Sequence, residues 1–203
     1  MFSGLIREIA KVTHFQNSIL TVESQYSPDI GDSIAINGAC LTVISKAKNS
    51  FSVELSPESA NLLAVENYKD SVHIEPAMQM NDRFDGHIVQ GHIDIIGIVD
   101  RVEKLGNSHN LFIKIDNKFL HLMVPKGSIT IDGVSLTLND RSDNLIRVTL
   151  IPHTMENTIF KNYRSGTRVN IESDMFVRYI ENILANRSNN LGWNKIDSIM
   201  AKY

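Results

Sequence analysis

The sequence lacks residue types that would place it in several functional classes. Its 203 residues include one cysteine, Cys40, so neither an internal disulfide nor a cysteine-rich zinc site can form. Acidic residues outnumber basic residues, 23 against 20, and the net charge is −3. Because a nucleic-acid-binding protein needs a basic face, we expect no nucleic acid among the partners.

Membrane and secretion signals are also missing. No run approaches the about 18 consecutive apolar residues of a transmembrane helix, and three polar residues interrupt the longest apolar stretch, residues 88–99. Arg7 and Glu8 fall where a signal peptide would be apolar. The hydrophobic fraction of 42% is ordinary for a globular protein. We therefore expect a cytoplasmic globular protein with no membrane partner.

The sequence contains an internal repeat. Four landmarks occur twice in the same order: residues 3–6 resemble 90–93, 34–43 resemble 129–138, 53–57 resemble 148–152, and 71–75 resemble 168–172. One such match arises easily by chance, whereas four in order do not. The sequence therefore indicates two copies of a unit of roughly 90 residues. We place a first domain at residues 1–87, a second at 88–184 and a C-terminal helical tail at 185–203.

Each unit has the pattern of β structure. Short runs rich in β-branched and bulky apolar residues recur, such as residues 19–23 and 146–150. Asn37-Gly38 and Asp132-Gly133 separate two such runs, and these pairs favour a two-residue hairpin because they tolerate positive φ. Several strands in about 90 residues favour one small closed barrel per unit. The predicted fold class is all-β with a C-terminal helix: two tandem small antiparallel β-barrels followed by an α-helix.

The period of the apolar residues changes from Met175 onward. Asp174 is placed to cap a helix whose apolar residues recur at three- and four-residue steps: Phe176, Tyr179, Ile180, Ile183 and Leu184. A second short helix is predicted over 193–200. The apolar stripe needs a surface to cover, either its own barrel or the same helix on other subunits.

Side chains alternate in direction along the strand that follows each hairpin. Cys40 and Thr42 share one face of their strand, and Ser135 and Thr137 share the equivalent face in the second repeat. Since side chains fill a small barrel, the intervening apolar residues point inward and these polar pairs point outward. Each pair either decorates a solvated strand or forms a shallow groove for a planar polar ligand that a second surface closes. The duplication favours the groove.

Other candidate groups leave alternatives open. His87 and His92 are five residues apart, so on one strand they point to opposite faces and a metal site is not favoured. His92 is a candidate imidazole in a cleft or a plain surface histidine. Cys40 is a candidate nucleophile or a small semi-buried apolar residue. Lys126 is either an anion contact or a solvated turn lysine, and Asp174 is more simply a helix cap than a catalyst.

The motifs that carry these residues resemble one known family. They are Met1-Phe2-x-Gly4, residues 37–43 (NGACLTV), residues 86–94 (GHIVQGHID), Lys126-Gly127 and residues 131–137 (IDGVSLT). In this order and at this spacing, from residue 1 to about 185, the chain resembles the riboflavin synthase family. The resemblance implies two lumazine-binding barrels and a C-terminal helix that holds a homotrimer together.

The resemblance also implies a reaction. Two molecules of 6,7-dimethyl-8-ribityllumazine dismutate to riboflavin and 5-amino-6-ribitylaminouracil by transfer of a four-carbon unit, with no cofactor and no metal. The active site lies between the N-terminal barrel of one subunit and the C-terminal barrel of the next. The resemblance also suggests lumazine synthase as a partner protein.

Site residues follow from the resemblance by position. His92 is the first candidate for proton transfer, with Cys40, Ser135 and Thr137 as polar assistants. The expected substrate-binding residues of the N-barrel pocket are Phe2, Gly4, Leu5, Ile6, Ser33, Cys40, Leu41, Thr42, Glu54, Leu55, Ser56, Pro57, Glu58 and Ser59. Those of the C-barrel pocket are Gly91, His92, Ile93, Ser135, Leu136, Thr137, Ile151, Pro152, His153, Thr154, Met155 and Glu156, with Lys126 reaching a ligand on the neighbouring subunit.

The chain departs from the family pattern in two places. Residues 58–63 read ESANLL where Glu-Thr-Leu-Arg-x-Thr is usual, and Asp85-Gly86-His87 stands where Gly-Gly-His is usual.

Two other functions are alternatives to catalysis by this family. A lumazine-binding optical or carrier protein shares the fold without turnover, but such relatives typically degrade one of the two half-sites. A flavin reductase barrel needs a nucleotide-binding partner domain, and the sequence has no G-x-G-x-x-G fingerprint.

Overall fold

The structure is a computed structural model that describes residues 1–190. Its first half is a closed antiparallel barrel of six strands. These are β1 (Glu8–Gln16), β2 (Ile19–Glu23), β3 (Ser33–Ile36), β4 (Ala39–Ala47), β5 (Ser50–Glu54) and β6 (Ser71–Pro76). The strands follow one another around the barrel in the order β1-β2-β5-β4-β3-β6. A short helix, α1 (Pro57–Leu62), and a 3₁₀ turn at Val65–Asn67 connect β5 to β6.

The second half repeats this architecture. Its strands are β7 (Ile95–Leu105), β8 (Ser108–Lys114), β9 (Ser128–Ile131), β10 (Val134–Ser142), β11 (Leu145–Leu150) and β12 (Arg168–Ser173). They close in the order β10-β11-β8-β7-β12-β9. Read around the closed barrel in the other direction from β7, this is β7-β8-β11-β10-β9-β12, the order of the first barrel with each strand replaced by the strand six later. Helix α2 (Pro152–Glu156) and a 3₁₀ turn at Ile159–Asn162 connect β11 to β12. The predicted pair of small antiparallel barrels is confirmed.

Each barrel has a core of inward-pointing apolar side chains. In β4, Leu41 and Val43 are buried while Thr42 between them is exposed, as the alternation predicts. The first core is completed by residues such as Leu20, Val22, Val53 and Ile74. The second core has the equivalent composition, including Leu111, Ile113, Val148 and Ile171. Filled interiors of this kind leave the outer faces of the strands to bind ligands.

The two hairpin turns have the backbone that their residues predict. Asn37 and Gly38 both have positive φ, 44° and 81°, and Asp132 and Gly133 repeat this at 42° and 84°. Two positive φ angles in a two-residue loop are typical of the hairpin turn whose twist matches that of the flanking strands. The turns join β3 to β4 and β9 to β10.

The barrels contact each other through a buried polar cluster around these turns. His73 of β6 accepts a hydrogen bond from the Ile159 N–H at Nε2 (2.8 Å), so its Nδ1 carries the proton and donates to the Asp132 carbonyl oxygen (2.7 Å). Asn170, the equivalent residue of β12, makes the reciprocal contacts: it donates to the Asn37 carbonyl oxygen (2.9 Å) and accepts from the Ala64 N–H (2.8 Å). The cluster relates the two barrels by approximate two-fold symmetry.

The C-terminal helix α3 (Met175–Asn190) begins where the sequence predicts. Asp174 accepts a hydrogen bond from the Phe176 N–H at 2.8 Å, which confirms the predicted cap. The helix runs past residue 184, where we drew a boundary from the sequence, and the helix predicted over 193–200 lies outside the described residues. The apolar stripe is exposed: Phe176, Tyr179, Ile180, Ile183 and Leu184 keep 53–59% of their accessible surface. No helix within residues 1–190 is long and apolar enough to span a membrane.

Candidate active site

The polar pairs after the hairpins lie on the outer faces of the barrels. Thr42 is exposed and Cys40 is half-buried; Thr42 pairs with Ser33 of β3 and with Glu54 of β5. Because cross-strand partners share one side of a sheet, these four side chains form one surface, here called the first-barrel face.

The equivalent surface of the second barrel is here called the second-barrel face. It consists of Ser135, Thr137 and Ser128, and Ser128 is the partner of Thr137 in β9. Thr137 is exposed and Ser135 is half-buried. The two faces therefore present small hydrogen-bonding groups at matched positions on two matched barrels.

A segment of the opposite repeat borders each face. The Cys40 N–H donates to the Gly91 carbonyl oxygen (2.9 Å), and the Ser135 N–H donates to the Gly4 carbonyl oxygen (2.8 Å). Both glycines have φ near +80°, and a Cβ on either one would lie 2.6 Å from the Cβ of its partner, Cys40 or Ser135. Only glycine fits this approach.

This exchange corrects the predicted grouping of the site residues. Gly4, Leu5 and Ile6 were expected beside Cys40, and Gly91, His92 and Ile93 beside Ser135. In the structure the opposite holds, and the core contacts agree: Ile6 packs against the core of the second barrel and Ile93 against the core of the first barrel. The segment that precedes each barrel crosses to its neighbour.

Two buried carboxylates hold the crossing segments. Glu75 of β6 accepts hydrogen bonds from the Ser3 N–H (2.8 Å), the Ser3 hydroxyl (2.9 Å) and the Gly4 N–H (3.0 Å). Glu172, its equivalent in β12, accepts from the Gln90 and Gly91 N–H groups, each at 2.8 Å. Burial raises the pKa of both carboxyls, and these backbone donors oppose the rise.

His87, which the sequence offers only as a candidate metal ligand, supports Ser135. His87 is buried; its Nδ1 lies 2.8 Å from the Ser135 hydroxyl and its Nε2 lies 3.2 Å from the Thr130 hydroxyl. Burial lowers the pKa of His87, although the nearby Asp174 charge opposes this. The imidazole therefore stays neutral and orients the Ser135 hydroxyl. The first repeat has no counterpart of His87, so comparison of the repeats gave no signal.

The structure places His92 on the segment that borders the first-barrel face. His92 is exposed and directly follows Gly91, whose backbone lies against Cys40. Sequence reasoning identified the histidine but assigned it to the pocket of the second barrel. Within one chain, the exposed His92 therefore follows the glycine that packs on Cys40, and the buried imidazole of His87 borders Ser135.

Four predicted substrate contacts have apolar side chains that pack inward. Leu41 and Leu55 are buried in the core of the first barrel, and Leu136 and Met155 pack against the core of the second barrel. Such residues can offer only backbone atoms or a partial surface to a ligand, because their side chains belong to the cores. Phe2 is fully buried and packs with Ala35, Val89 and Cys40 in a small cluster separate from the barrel core. Because Ala35 is the cross-strand partner of Cys40, Phe2 lies on the outer side of the barrel and borders the first-barrel face.

The predicted residues around the short helices lie at the ends of β5 and β11. Ser56 caps α1, since its hydroxyl accepts from the Ser59 N–H at 3.0 Å, and Pro57 and Glu58 are exposed in the first turn. In the second repeat Ile151, His153 and Glu156 are exposed, whereas Pro152 and Thr154 are half-buried.

Lys126 lies in the turn before β9. Its φ is +67° and its N–H donates to the Leu138 carbonyl oxygen at 2.7 Å, so the backbone conformation is fixed while the side chain is exposed. This arrangement leaves the ammonium group free to reach a ligand outside its own barrel.

Within the described residues, no metal site and no part of one inter-barrel cleft coincides with these faces. Among residues 1–190, no group of three or more His, Cys, Asp and Glu side chains is placed to hold a metal ion. A cleft of about 960 Å³ lies between the equivalent loops 66–71 and 159–168, and its lining contains none of the predicted site residues.

The two repeats match the model of a known protein family. The lumazine binding domain matches this chain twice, over residues 3–77 and 90–174. The two matches coincide with the two barrels and their crossing segments.

Curated relatives match the chain over nearly its whole length. A riboflavin synthase of Bacillus subtilis is 37% identical over 199 residues, which cover 94% of this chain and 93% of the relative. A riboflavin synthase of Actinobacillus pleuropneumoniae is also 37% identical, with 91% and 90% covered. A riboflavin synthase of Schizosaccharomyces pombe is 32% identical, with 91% and 94% covered.

Solved structures share the fold at much lower identity. A crystal structure of LumP complexed with riboflavin has a TM-score of 0.76 at 18% identity and covers 85% of this chain and 99% of that chain. A crystal structure of LumP complexed with 6,7-dimethyl-8-(1'-D-ribityl) lumazine has a TM-score of 0.74 at 17% identity, with the same coverage.

Proposed function

The chain belongs to the riboflavin synthase family and is an enzyme of that type, and on this premise we propose how its two faces carry out the reaction. Two molecules of 6,7-dimethyl-8-ribityllumazine react, one giving a four-carbon unit to the other, to form riboflavin and 5-amino-6-ribitylaminouracil. The two products together contain all the atoms of the two substrates. The reaction therefore consumes no oxidant, no reductant and no co-substrate.

The observation that carries the proposal is the duplication of the outer polar faces. Each barrel offers one face with small hydrogen-bonding groups at equivalent positions, as expected if each face holds one of two identical heterocycles. Cys40 and Thr42 present hydrogen-bonding groups to one ring, and Ser135 and Thr137 to the other. Both faces are open in a single chain, so a second surface is needed to enclose the rings.

We place that second surface on a neighbouring subunit. The first-barrel face of one subunit closes over the second-barrel face of the next, and Lys126 reaches across this boundary. Held in this way, two stacked and oriented rings gain about 7–11 kcal/mol of barrier reduction from proximity alone. The substrates themselves supply the reactive carbanion, since deprotonation of the C7 methyl group is stabilised by delocalisation into the ring.

Proton transfer is assigned to the polar groups that this closure brings together. His92 comes from the first-barrel side, and Ser135, oriented by His87, comes from the second-barrel side. General acid–base assistance of this kind contributes about 10²–10⁴-fold. Cys40 and Thr137 serve as polar assistants that bind the rings.

The assembly follows from α3. Its exposed apolar stripe is suited to packing on the same helix of other subunits, and we propose a homotrimer, in which each first-barrel face meets one second-barrel face. An acidic chain with a single cysteine suits the reducing cytoplasm. Association with lumazine synthase stays a prediction from the family resemblance.

Incubation of the purified protein with 6,7-dimethyl-8-ribityllumazine tests the proposal. We expect riboflavin and 5-amino-6-ribitylaminouracil in equal amounts, with two lumazines consumed per riboflavin and no effect of EDTA. Tight binding of the lumazine without any riboflavin formed would contradict the proposed reaction and favour the carrier function. Failure to bind the lumazine would contradict both.

A further inference from the structure

One arginine links the C-terminal helix to the segment that borders Cys40. Arg178 lies in the first turn of α3, and its side chain is only 20% exposed, in contrast to the apolar stripe on the same helix. Its Nη1 donates to Asp94 Oδ1 (3.1 Å), and its Nη2 donates to Gln90 Oε1 (2.8 Å) and to Glu172 Oε1 (3.2 Å). The guanidinium thus holds three acceptors, two from the segment before β7 (Gln90 and Asp94) and one from β12 (Glu172).

These acceptors lead directly to the candidate active site. Glu172 is 1% exposed, and its Oε2 accepts from the Gly91 N–H at 2.8 Å. The Gly91 carbonyl oxygen in turn accepts from the Cys40 N–H at 2.9 Å, and His92 is the next residue along the chain. Three consecutive hydrogen bonds therefore connect α3 to Cys40, by way of the residue that precedes His92.

The first repeat shows what Arg178 replaces. There the buried carboxylate Glu75 receives a side-chain hydrogen bond from the Ser3 hydroxyl, which is part of the crossing segment itself. The residue equivalent to Ser3 is Gln90, whose side-chain oxygen is itself an acceptor and bonds to Arg178. The second repeat thus takes its side-chain donor from α3, and the Arg178 charge also opposes the rise that burial causes in the pKa of Glu172.

We propose that Arg178 is a positioning residue: acting through Glu172 and Gln90, it fixes Gly91 against Cys40 and thereby the position of His92, the next residue. The expected effect on kcat rests on the proposed function, whereas the expected effect on the packing of Gly91 against Cys40 does not. The guanidinium fixes the Glu172 carboxylate that binds the Gln90 and Gly91 N–H groups, and it also binds the Gln90 and Asp94 side chains. Loss of the guanidinium therefore loosens the segment and displaces His92 without removing any group that touches the substrate. Since a misplacement of about 1 Å can cost about 100-fold in rate, the effect falls on kcat.

Steady-state kinetics of three full-length variants test the catalytic consequence. We expect Arg178→Met to lower kcat at least about tenfold while KM changes less than about threefold. Arg178→Lys keeps the charge but not the planar guanidinium that reaches three acceptors. Its kcat should therefore lie between that of Arg178→Met and that of the wild type. The matched control is Arg164→Met, which removes an exposed arginine from the loop before β12. The control should match the wild type.

The single cysteine gives a readout that does not depend on activity. Reaction of Cys40 with a thiol reagent such as DTNB reports the packing of Gly91 against it, and no other thiol contributes. We expect Arg178→Met to label at least about threefold faster than the wild type and Arg164→Met to label at the wild-type rate. If the wild type forms no riboflavin, the proposed function fails, yet the labelling still decides the structural role.

Two results would overturn the inference. The first is wild-type kcat and wild-type Cys40 labelling in Arg178→Met. The second is lost activity with unchanged labelling and a dissociated oligomer on a sizing column, which would assign Arg178 to assembly alone. If Arg178→Met does not fold, Arg178→Lys carries the same comparison, and unchanged kcat and labelling in that variant would contradict a requirement for the guanidinium fork.

Discussion

Gly38 of the first barrel lies directly against Gly133 of the second barrel. A Cβ on Gly38 would lie 2.6 Å from the Gly133 nitrogen, and a Cβ on Gly133 would lie 2.9 Å from the Gly38 nitrogen. The same position of the two repeats thus meets itself across the approximate two-fold axis. Since both glycines also have positive φ, each serves its own hairpin and the contact between barrels at once.

The stability of Gly38→Ala tests this contact. An alanine at positive φ costs about 1–2 kcal/mol, and a methyl group forced against backbone adds about 1–3 kcal/mol. Gly31→Ala is the matched control, because Gly31 lies in the same barrel at φ +95° with nothing within 4 Å of its Cβ position. We expect urea unfolding to show a clearly larger loss of unfolding free energy for Gly38→Ala. Equal losses in the two variants would show that the barrels do not meet here.

The burial of Asp132 predicts that replacing it with asparagine, which has the same shape, raises the free energy of unfolding by an amount that depends on pH. Its carboxyl accepts from the Asn170 N–H (2.8 Å) and from the Tyr163 hydroxyl, and burial raises its pKa to about 7. Between pH about 4 and 7 the folded state keeps a proton that the unfolded chain releases, so stability falls as pH rises. Asn37 stands at the equivalent position of the first repeat, which indicates that an asparagine fits.

We therefore expect Asp132→Asn to be more stable than the wild type at pH 8, by about 2–4 kcal/mol, with the gain fading toward pH 4. His73, whose pKa burial lowers to about 4, has the opposite pH dependence, but it is present in both proteins and cancels in the difference. The reciprocal variant Asn37→Asp should lose stability at pH 8. If the difference in unfolding free energy between Asp132→Asn and the wild type does not vary with pH, the Asp132 carboxyl does not have a raised pKa in the folded protein.

The sequence predicted the parts of the fold that depend on local rules. The Asn37-Gly38 hairpin, the outward direction of Thr42 and the Asp174 cap follow from turn chemistry, strand parity and capping, which act within a few residues. The internal repeat then predicted that the second half of the chain forms a barrel like the first. Each of these predictions is confirmed by the backbone and burial of the corresponding residues.

The sequence could not predict which barrel each crossing segment joins. Gly4 and Gly91 occupy equivalent positions in their repeats, and a repeat pattern looks the same whether a segment packs on its own barrel or on the other. Contacts such as Gly91 with Cys40 and His87 with Ser135 join residues about 50 apart in the chain, and they depend on tertiary packing, not on periodicity. His87 was visible in the sequence, but nothing local indicated its serine partner.

The role of His92 in proton transfer is tested by His92→Ala. The side chain is exposed, so the variant should fold normally, and loss of acid–base assistance should lower kcat at least about tenfold. His14→Ala removes an exposed histidine from β1 and should have no effect. Turnover of the lumazine at the wild-type rate by His92→Ala would remove His92 from the mechanism and leave the His87–Ser135 pair as the proton-handling group.

The role of α3 in assembly is tested by charges on its apolar stripe. Ile180 and Ile183 are 57% and 53% exposed in the single chain, so Ile180→Asp/Ile183→Asp should fold but separate into monomers. Such monomers should have little activity because each holds two open half-sites. Asn182→Asp on the same helix is the control and should stay assembled. A fully active monomer in analytical ultracentrifugation would contradict the shared site.

Mixing two inactive variants is the most direct test of the central claim that each site joins two subunits. Thr42→Arg blocks the first-barrel face and Thr137→Arg blocks the second-barrel face, and both positions are exposed, so each variant should fold but be inactive alone. In co-assembled mixed oligomers, a shared site predicts recovery of up to about a quarter of the wild-type activity, because random mixing pairs two intact faces at that frequency. Mixed oligomers with no recovered activity would contradict the account.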